Sequence, residues 1–338
     1  MRNIIVTGGA GFIGVSFVKM LLQETDDVNV INYDALTYAG NLASLDDCIN
    51  NPRHVFVHGD ICDTAKVEET FSKYSPEGVI NFAAESHVDR SITDPDIFLK
   101  TNIMGTLNLL RASQKYSVKR FLQVSTDEVY GSLGSTGSFS ETTNISPNSP
   151  YSASKASADH FVRAFNHTFK MDTVITRCSN NYGQYQFPEK MIPLCINNIL
   201  QNKNLPVYGD GMQVRDWLYV KDHCSAIWEV FNHGIMGEVY NVGGCNEKAN
   251  LELVKTLLKI LNKPESLITF VKDRPGHDRR YAIDNSKIMS TLNWKPSVTF
   301  EQGIELTVKW YLDNKNWLEN ITSGAYQKYY SNMYGNRQ

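Results

Sequence analysis

The sequence predicts an α/β protein built on a doubly wound parallel sheet, with a second, smaller domain. Three observations support this fold class: short β-branched runs alternate with helix-length segments, a glycine-rich turn follows the first run, and the composition of the chain changes after about Ser179. Strands that are separated by helix-length segments form parallel sheets through right-handed crossovers. The chain has 338 residues, which is enough to bury a large core.

The individual elements follow from residue type and spacing. Runs rich in Val, Ile and aromatic residues predict strands at 3–6, 28–33, 54–57, 79–82, 121–125 and 173–177. Apolar residues at helical spacing predict helices at 12–22, 96–116 and 151–169. These helices have apolar faces that can pack against the sheet.

The change in composition predicts where the chain divides into domains. Residues 1–178 are predicted to form the sheet domain, and residues 179–217 and 246–330 the smaller one, which is rich in aromatic, Pro and Gly residues. Between these parts, residues 218–245 contain a helical pattern followed by a short strand at 239–242. This segment could return to the sheet.

Composition and charge exclude several classes of protein. The formal net charge is −3 and Lys and Arg are scattered, so no basic stripe is available for a nucleic-acid backbone. No apolar run is long enough to span a bilayer and no signal peptide is visible, which predicts a cytoplasmic protein without membrane contact. The six cysteines lie far apart and lack His partners at metal-ligand spacing, so we expect reduced thiols and no metal site.

A glycine-rich segment, GGAGFIG at 8–14, follows the first predicted strand and opens the first predicted helix. Glycines in that position allow the backbone to approach a pyrophosphate at the helix N-terminus. Asp34 ends the second strand, where its carboxylate can accept hydrogen bonds from an adenosine ribose. Because this carboxylate would repel a 2′-phosphate, we predict a Rossmann domain that binds NAD rather than NADP. Asp60 is either an adenine contact or a turn carboxylate.

Tyr151 and Lys155 form a YxxxK pair on one face of a predicted helix. A free phenol has a pKa of about 10 and is a poor base at neutral pH. A neighbouring ammonium and a positive nicotinamide ring both favour the phenolate, so Tyr151 can take a hydroxyl proton as hydride leaves the same carbon. Thr126, directly after the fifth predicted strand, is expected to hydrogen-bond the reacting hydroxyl.

This combination resembles the extended short-chain dehydrogenases/reductases that act on nucleotide sugars. Asp127 and Glu128 directly follow Thr126, where epimerase-type members usually carry small or neutral residues. With these two carboxyls the chain is similar to the dTDP-glucose 4,6-dehydratases, from Asn3 to about Trp317. The resemblance implies conversion of dTDP-glucose to dTDP-4-keto-6-deoxy-glucose, a precursor of deoxysugars such as rhamnose.

The two carboxyls suit the chemistry of that reaction, because eliminating water across C5 and C6 needs a base and an acid. Oxidation at C4 makes a ketone that acidifies the hydrogen on C5. Glu128 is expected to take that proton, while Asp127, if it is kept protonated in a dry pocket, donates to the departing C6 hydroxyl. Return of hydride to C6 then leaves NAD oxidised again.

The resemblance also implies which residues bind the two ligands. The expected NAD contacts, besides the YxxxK pair, are Gly8, Gly11, Phe12, Ile13, Gly14, Asp34, Ala35, Leu36, Thr37, Asp60, Ile61, Phe82, Ala83, Ala84, Ser86, Thr101 and Asn181. The expected substrate contacts are Ser86, Thr126, Asn180, Lys190, Met191, Pro206, Val207, Tyr208, Arg215, Asn250, Asp273, Arg274 and His277. Among these, Lys190, Arg215 and His277 are candidate diphosphate contacts. One departure from the family is Gln184, where relatives usually have Pro, so the rigidity of the loop at 184–190 is open.

Other functions share these features. A nucleotide-sugar 4-epimerase has the same fold, NAD and YxxxK pair but does not need Asp127 and Glu128, and a non-catalytic NAD-binding protein needs none of the five catalytic residues. The sequence does not choose between dTDP, UDP and another nucleotide, because a thymine methyl can be recognised by packing alone. The family further implies a homodimer through the helices at 96–116 and 151–169, although those apolar faces could also be ordinary core.

Overall fold

A seven-stranded parallel sheet forms the larger part of the protein. The computed structural model describes residues 1–273 and 275–323. The strands are β1 (Arg2–Thr7), β2 (Val28–Asp34), β3 (His54–His58), β4 (Gly78–Asn81), β5 (Arg120–Thr126), β6 (Thr173–Cys178), β7 (Asn180–Tyr182), β8 (Leu205–Tyr208), β9 (Val214–Tyr219), β10 (Val239–Val242), β11 (Glu247–Ala249) and β12 (Ile268–Val271). The large sheet has the order β10-β6-β5-β4-β1-β2-β3, and each neighbouring pair is parallel. The predicted doubly wound fold is therefore confirmed.

Helices cover both faces of this sheet. The α-helices are α1 (Phe12–Glu24), α2 (Thr64–Tyr74), α3 (Val88–Thr93), α4 (Asp96–Phe98), α5 (Thr106–Lys115), α6 (Pro150–Phe169), α7 (Met191–Leu200), α8 (Val220–His233), α9 (Asn250–Ile260), α10 (Ser286–Leu292), α11 (Phe300–Asp313) and α12 (Lys315–Ile321). Phe17 of α1 and Ile227 of α8 belong to one apolar core, and Phe71 of α2, Leu109 of α5 and Val162 of α6 belong to another. A parallel sheet needs such cover because its strands are apolar on both faces.

The strand order fixes where a ligand can bind. β1 lies between β2 and β4, so the chain winds outward from this point in opposite directions. In open α/β sheets the crevice at the carboxyl ends of the strands beside such a switch point receives the ligand. The segments that follow β1, β2, β4 and β5 therefore surround the expected site.

The helix predicted at 96–116 is not a uniform α-helix. Between α4 and α5, Leu99–Gly105 form a π-helix, a rare conformation that often occurs at functional sites. Asn102 in this segment is buried, accepts a hydrogen bond from the backbone N–H of Glu85 (2.9 Å) and donates to Ser154 Oγ (2.8 Å). The π-helix thus links the segment after β4 to α6.

The second, smaller domain has its own sheets and core. In one sheet β9 lies between β7, which is parallel to it, and β11, which is antiparallel, while β8 pairs with β12 in another. Ile196 of α7, Leu257 of α9 and Val308 of α11 share a separate apolar core. No helix within residues 1–273 and 275–323 is both long and apolar enough to cross a membrane.

Candidate active site

A cavity of about 350 Å³ lies at the carboxyl edge of the large sheet. Every residue predicted to contact NAD lines this cavity except Leu36. Those that line it are Gly8, Gly11, Phe12, Ile13, Gly14, Asp34, Ala35, Thr37, Asp60, Ile61, Phe82, Ala83, Ala84, Ser86, Thr101, Tyr151, Lys155 and Asn181. Thr126, Asp127 and Glu128 line it as well. The structure therefore brings the predicted cofactor and catalytic residues together in one space.

The glycine-rich turn packs so closely against its own backbone and the segment after β4 that larger residues would not fit at Gly8 and Gly14. Gly8 has φ +67°, and a Cβ there would lie 2.8 Å from the backbone N of Ala83. A Cβ on Gly14 would lie 2.1 Å from the carbonyl O of Gly8. α1 begins with Gly11 as its N-cap, which supplies no side-chain acceptor for the first N–H groups of the helix. This cradle fits a pyrophosphate, because the N-terminus of a helix offers N–H donors and a positive dipole.

Asp34 is held in place by the turn itself. Its Oδ2 accepts from the N–H of Ala10 (2.9 Å) and its Oδ1 from the N–H of Leu36 (2.7 Å). Burial raises the pKa of Asp34, and these two backbone hydrogen bonds oppose that rise. Each carboxylate oxygen keeps a further acceptor site for a ribose hydroxyl.

Leu36, also a predicted NAD contact, does not line the cavity. Its backbone has φ +51°, and its side chain packs against the apolar core beside α1 instead of lining the cavity. What Leu36 contributes at this turn is its backbone N–H, which fixes Asp34. Sequence position alone does not show that a residue beside the site points away from it.

Tyr151 and Lys155 lie one turn apart on α6, near its N-terminus. The helix starts sharply because Ser149 and Ser152 form a capping box and Pro150 occupies the first turn. Lys155 Nζ donates to the carbonyl O of Val124 on β5 (2.7 Å), which ties the helix to the strand that ends at Thr126. The pair is thus positioned against the sheet edge by backbone contacts.

The protein groups around Tyr151 favour its neutral form. Burial raises the pKa of Tyr151 well above its usual value, and the charge of Glu128 raises it further, while a hydrogen bond with Thr126 opposes the rise. Burial also lowers the pKa of Lys155, and the carboxylate of Asp159 opposes that change. A positive charge near the phenol would oppose the rise in the Tyr151 pKa.

Asp127 and Glu128 are adjacent in sequence but lie in different environments. They open a short 3-10 helix, Asp127–Tyr130, in which Thr126 Oγ1 accepts from the N–H of Glu128 (3.3 Å). Asp127 is only 1% exposed, whereas Glu128 is partly exposed. Burial raises the pKa of Asp127 well above its usual value, and the charges of Glu128 and Asp216 add to this effect. A protonated acid beside a more accessible carboxyl suits an elimination.

The predicted substrate contacts fall into two groups. Ser86, Thr126, Asn180 and Lys190 line the cavity, and Lys190 Nζ donates to the carbonyl O of Ser86 (2.7 Å). The others do not line it: Met191, Pro206, Val207, Tyr208, Arg215, Asn250, Asp273 and His277. Arg274, also predicted, lies outside the described residues.

Some members of the second group contact one another, and one lies near a cavity residue. The His277 ring is 6.0 Å from that of Tyr208, and its Nδ1 lies 2.6 Å from Asp273 Oδ1. The Arg215 guanidinium lies 4.4 Å above the Tyr281 ring, and its charge lowers the pKa of Asp127, which places it near the catalytic acid. Other side chains point elsewhere, since Val207 is buried in the core of the smaller domain and Met191 packs against it.

Some cavity residues were not predicted, notably Glu85, Cys178, Gln186 and Glu189. Glu85 and Glu189 are both buried carboxyls whose pKa is raised by burial. Each directly precedes a predicted contact, Ser86 or Lys190, and that adjacency was the available signal. Acidic side chains are usually solvated, so nothing in the sequence shows that these two are buried.

The loop that contains Gln184 is anchored without the family's Pro. Gln186 Nε2 donates to the carbonyl O of Asn181 (2.9 Å), and the Tyr311 hydroxyl donates to the carbonyl O of Gln186 (2.6 Å). Lys19 Nζ lies 2.7 Å from the Tyr185 hydroxyl oxygen. These contacts fix the loop at the two residues that follow Gln184, so its shape does not depend on residue 184 alone.

Comparison with known proteins gives a consistent result. The chain matches the family model for GDP-mannose 4,6 dehydratase over residues 5–307. It is 53% identical to a dTDP-glucose 4,6-dehydratase from Neisseria meningitidis, over 97% of this chain and 98% of that protein. The crystal structure of dTDP-glucose 4,6-dehydratase from Streptomyces venezuelae with NAD and dTDP bound superposes with a TM-score of 0.92 at 46% identity, covering 95% of this chain and 100% of that one.

A UDP-glucose 4-epimerase from Thermotoga maritima also has this fold, with a TM-score of 0.87 at 32% identity over 93% of this chain and 100% of that one. The similarity to the two dehydratases is greater, and Asp127 and Glu128, which distinguish dehydratases from epimerases in the sequence comparison above, both reach the cavity. The resemblance predicted from the sequence is confirmed: the chain belongs to the dTDP-glucose 4,6-dehydratase family.

Proposed function

We propose that this protein is an NAD-dependent hydro-lyase that converts dTDP-glucose to dTDP-4-keto-6-deoxy-glucose, for use in deoxysugar synthesis. The observation that carries the proposal is the environment of Asp127, a fully buried carboxyl with a raised pKa in the same cavity as Glu128, Tyr151 and Lys155. An epimerase needs no protonated acid beside its catalytic tyrosine. Relatives named for this reaction, at about half identity over nearly the full length, support the same conclusion.

The cofactor fits the residues that are present. The glycine cradle receives its pyrophosphate and Asp34 its adenosine ribose. When bound, NAD supplies a positive nicotinamide ring and the site that takes up and returns hydride. That positive charge lowers the pKa of Tyr151, which the surrounding protein raises.

Oxidation at C4 depends on Tyr151, Thr126 and Lys155. The phenolate oxygen of Tyr151 takes the proton of the C4 hydroxyl, and the Thr126 hydroxyl donates a hydrogen bond to the same oxygen. The Lys155 ammonium, fixed on the carbonyl of Val124, holds a positive charge behind the phenolate. The product of this step is a C4 ketone.

Elimination and the final reduction depend on the two carboxyls. Glu128 takes the C5 proton that the ketone has acidified, and Asp127 donates its proton to the C6 hydroxyl, which leaves as water. As hydride returns to C6, Glu128 gives its proton back to C5. Substrate and product then differ by one water. Glu128 has regained its starting state, whereas Tyr151 must release the proton that it took from the C4 hydroxyl and Asp127 must take one up, so the cycle consumes no net proton.

We assign the nucleotide to the smaller domain, which comprises residues 179–217 and 246–330 in the proposed division, with 1–178 and 218–245 forming the NAD-binding domain. Arg215 lies close enough to Asp127 to lower its pKa, and Arg215 and His277 carry donors that suit a diphosphate. Lys190 and Asp127 both line the cavity, so the sugar is assigned to the space that they share.

The first experiment is mass spectrometry of dTDP-glucose after incubation with the purified protein, without added reductant. Loss of one water establishes the reaction, and UDP-glucose in a parallel sample tests the nucleotide. If only UDP-glucose loses water, the reaction stands and the substrate changes. Unchanged mass with both, together with formation of the C4 epimer, would identify an epimerase; bound NAD without any turnover would favour a binding protein.

We further propose a cytoplasmic homodimer, in which α6 and the helical segment from α4 to α5 of each subunit pack against the partner. Leu99, Met104 and Phe161 lie on these helices and are 52%, 56% and 38% exposed, although they are large apolar residues. All six cysteines are free thiols, as expected in a reducing compartment. Light scattering should give a dimer mass that Met104→Asp reduces, and a monomeric wild-type protein at micromolar concentration would contradict the assignment.

A further inference from the structure

A strap of chain, residues 183–190, borders the cofactor cavity. Its residues Gln186, Phe187, Glu189 and Lys190 line that cavity. The strap is tied to the NAD-binding domain on two sides, by Tyr185 to Lys19 of α1 and by Lys190 to the carbonyl of Ser86. It therefore spans from the helix that begins at the pyrophosphate cradle to the segment after β4.

A second cavity, of about 500 Å³, lies behind the strap. Four residues line both cavities, and they are Ala39, Gly40, Phe187 and Glu189. Residues that line two spaces form the partition between them. Separation of the strap from the turn after β2 would join the cofactor cavity to the second cavity.

One cluster holds this partition closed. The Tyr38 hydroxyl donates to Glu189 Oε1 (2.9 Å), and the Tyr38 ring meets the Phe187 ring edge-on at 5.7 Å. The Arg90 guanidinium lies 3.8 Å above the Tyr38 ring, near enough for a cation–π contact. Glu189 is only 6% exposed, so its hydrogen bond from Tyr38 is formed away from solvent, where it contributes most.

The proposed reaction requires that the cofactor stay bound while the cavity is closed. Hydride leaves C4 at the start and must return to C6 at the end, so the enzyme has to retain its reduced cofactor while water is eliminated. If the cofactor left between these steps, the unsaturated sugar would have no hydride donor.

We propose that Tyr38, Glu189 and Arg90 form a lock that retains the reduced cofactor between the two hydride transfers. These three are positioning residues, since they close the wall and take no part in bond making. The proposal rests on NAD as the cofactor but not on the identity of the sugar. It extends the set of functional residues beyond those that contact the reacting atoms.

The test measures cofactor release directly. Protein loaded with NADH is mixed with a large excess of NAD, and the fall in fluorescence of bound NADH gives the dissociation rate without any sugar. Tyr38→Phe, which removes one hydroxyl, should release NADH about tenfold faster, because the buried hydrogen bond that ties the strap to Tyr38 is lost. Glu189→Gln, which keeps the shape but replaces the carboxyl group with an amide, should also accelerate release.

Tyr116→Phe is the matched control. The Tyr116 hydroxyl donates to Glu68 (3.1 Å), and neither residue lines either cavity, so a tyrosine–glutamate hydrogen bond is lost with no change at the partition. Unchanged release in this variant, with faster release in Tyr38→Phe, supports the lock. Wild-type release rates in both Tyr38→Phe and Glu189→Gln would overturn it, whether or not dTDP-glucose proves to be the substrate.

Discussion

The carboxyl edge of the large sheet and the smaller domain position their functional side chains in different ways. At the sheet edge, Thr126 ends β5, Asp127 directly follows it, and Lys155 is fixed on the backbone of the same strand. In the smaller domain, Arg215 depends on a loop carbonyl, that of Asp278 (2.9 Å), and on the Tyr281 ring. We expect changes at the sheet edge to alter kcat and changes in the smaller domain to alter KM.

The largest effect is expected for Tyr151→Phe. Without the phenol oxygen no protein group can take the C4 proton, so oxidation should slow by about 10³-fold, within the range for loss of a general base. Absorbance of reduced nicotinamide in a single turnover measures this step. Normal accumulation of reduced cofactor in the variant would show that another group is the base.

Asp127→Asn should separate the two halves of the reaction. An amide cannot donate the proton that the C6 hydroxyl needs, so elimination should slow by about 10²-fold while C4 oxidation persists. Reduced cofactor should therefore accumulate on the enzyme, in contrast to Tyr151→Phe. In the wild type, elimination should weaken as pH rises through the raised pKa of Asp127, because the acid is then ionised.

The same substitution should stabilise the fold at neutral pH. Burial raises the pKa of Asp127, so the unfolded chain ionises first and the free energy of unfolding falls as pH rises from about 4. The loss is about 1.4 kcal/mol for each unit by which the pKa is raised, until the folded-state value is passed. Asn does not ionise, so the free energy of unfolding of the Asp127→Asn variant should not fall in this way. Urea unfolding should therefore show the variant becoming more stable relative to the wild type as pH rises. A difference in the free energy of unfolding that stays constant with pH would contradict this.

Arg215→Lys tests the smaller domain. Lys keeps the positive charge near Asp127 but loses the planar fork, so KM for dTDP-glucose should rise by about tenfold with kcat little changed. Arg279→Lys is the control, since Arg279 forms an exposed fork with Asp210 (2.8 and 3.0 Å). If Arg215→Lys instead lowered kcat as much as kcat/KM and left KM unchanged, the proposal that the smaller domain acts through KM would be wrong.

The smallest effect is expected for Gln184→Pro, which introduces the residue usual in the family. The strap is already anchored by Gln186 and Tyr185. A compatible Pro should raise the free energy of unfolding by only about 0.4–1 kcal/mol, through the unfolded chain. Thermal unfolding measures this, and a clear change in KM would mean that residue 184 shapes the sugar site.

The same contrast explains what could be predicted from the sequence. The predicted strands coincide with β1–β6 and β10 to within about a residue at most ends, because β-branched runs between helices are a strong pattern. Residues after strand ends, such as Thr126 and Asp127, converge whenever the sheet is parallel. The strap, by contrast, is placed by side chains from distant segments, among them Lys19 and Tyr311, and no local pattern reports such contacts.

Two departures from the predictions have a similar origin. Leu36 lies in the predicted cofactor turn, but its backbone conformation turns its side chain to the core. Glu85 and Glu189 are buried against the usual preference of carboxyls for water. In each case the three-dimensional surroundings outweigh residue type, and these surroundings involve positions far apart in the chain.

The π-helix at Leu99–Gly105 makes the length of this segment as important as its composition. A π-helix holds more residues per turn than an α-helix, so one deletion here could restore regular α-helical winding. A π-helix turns less per residue than the about 100° of an α-helix, so such a deletion would leave the flanking turns nearly in register but would shift the residues inside the segment. Asn102 could then no longer reach both Glu85 and Ser154. The segment should therefore tolerate many substitutions on its exposed face but very few insertions or deletions.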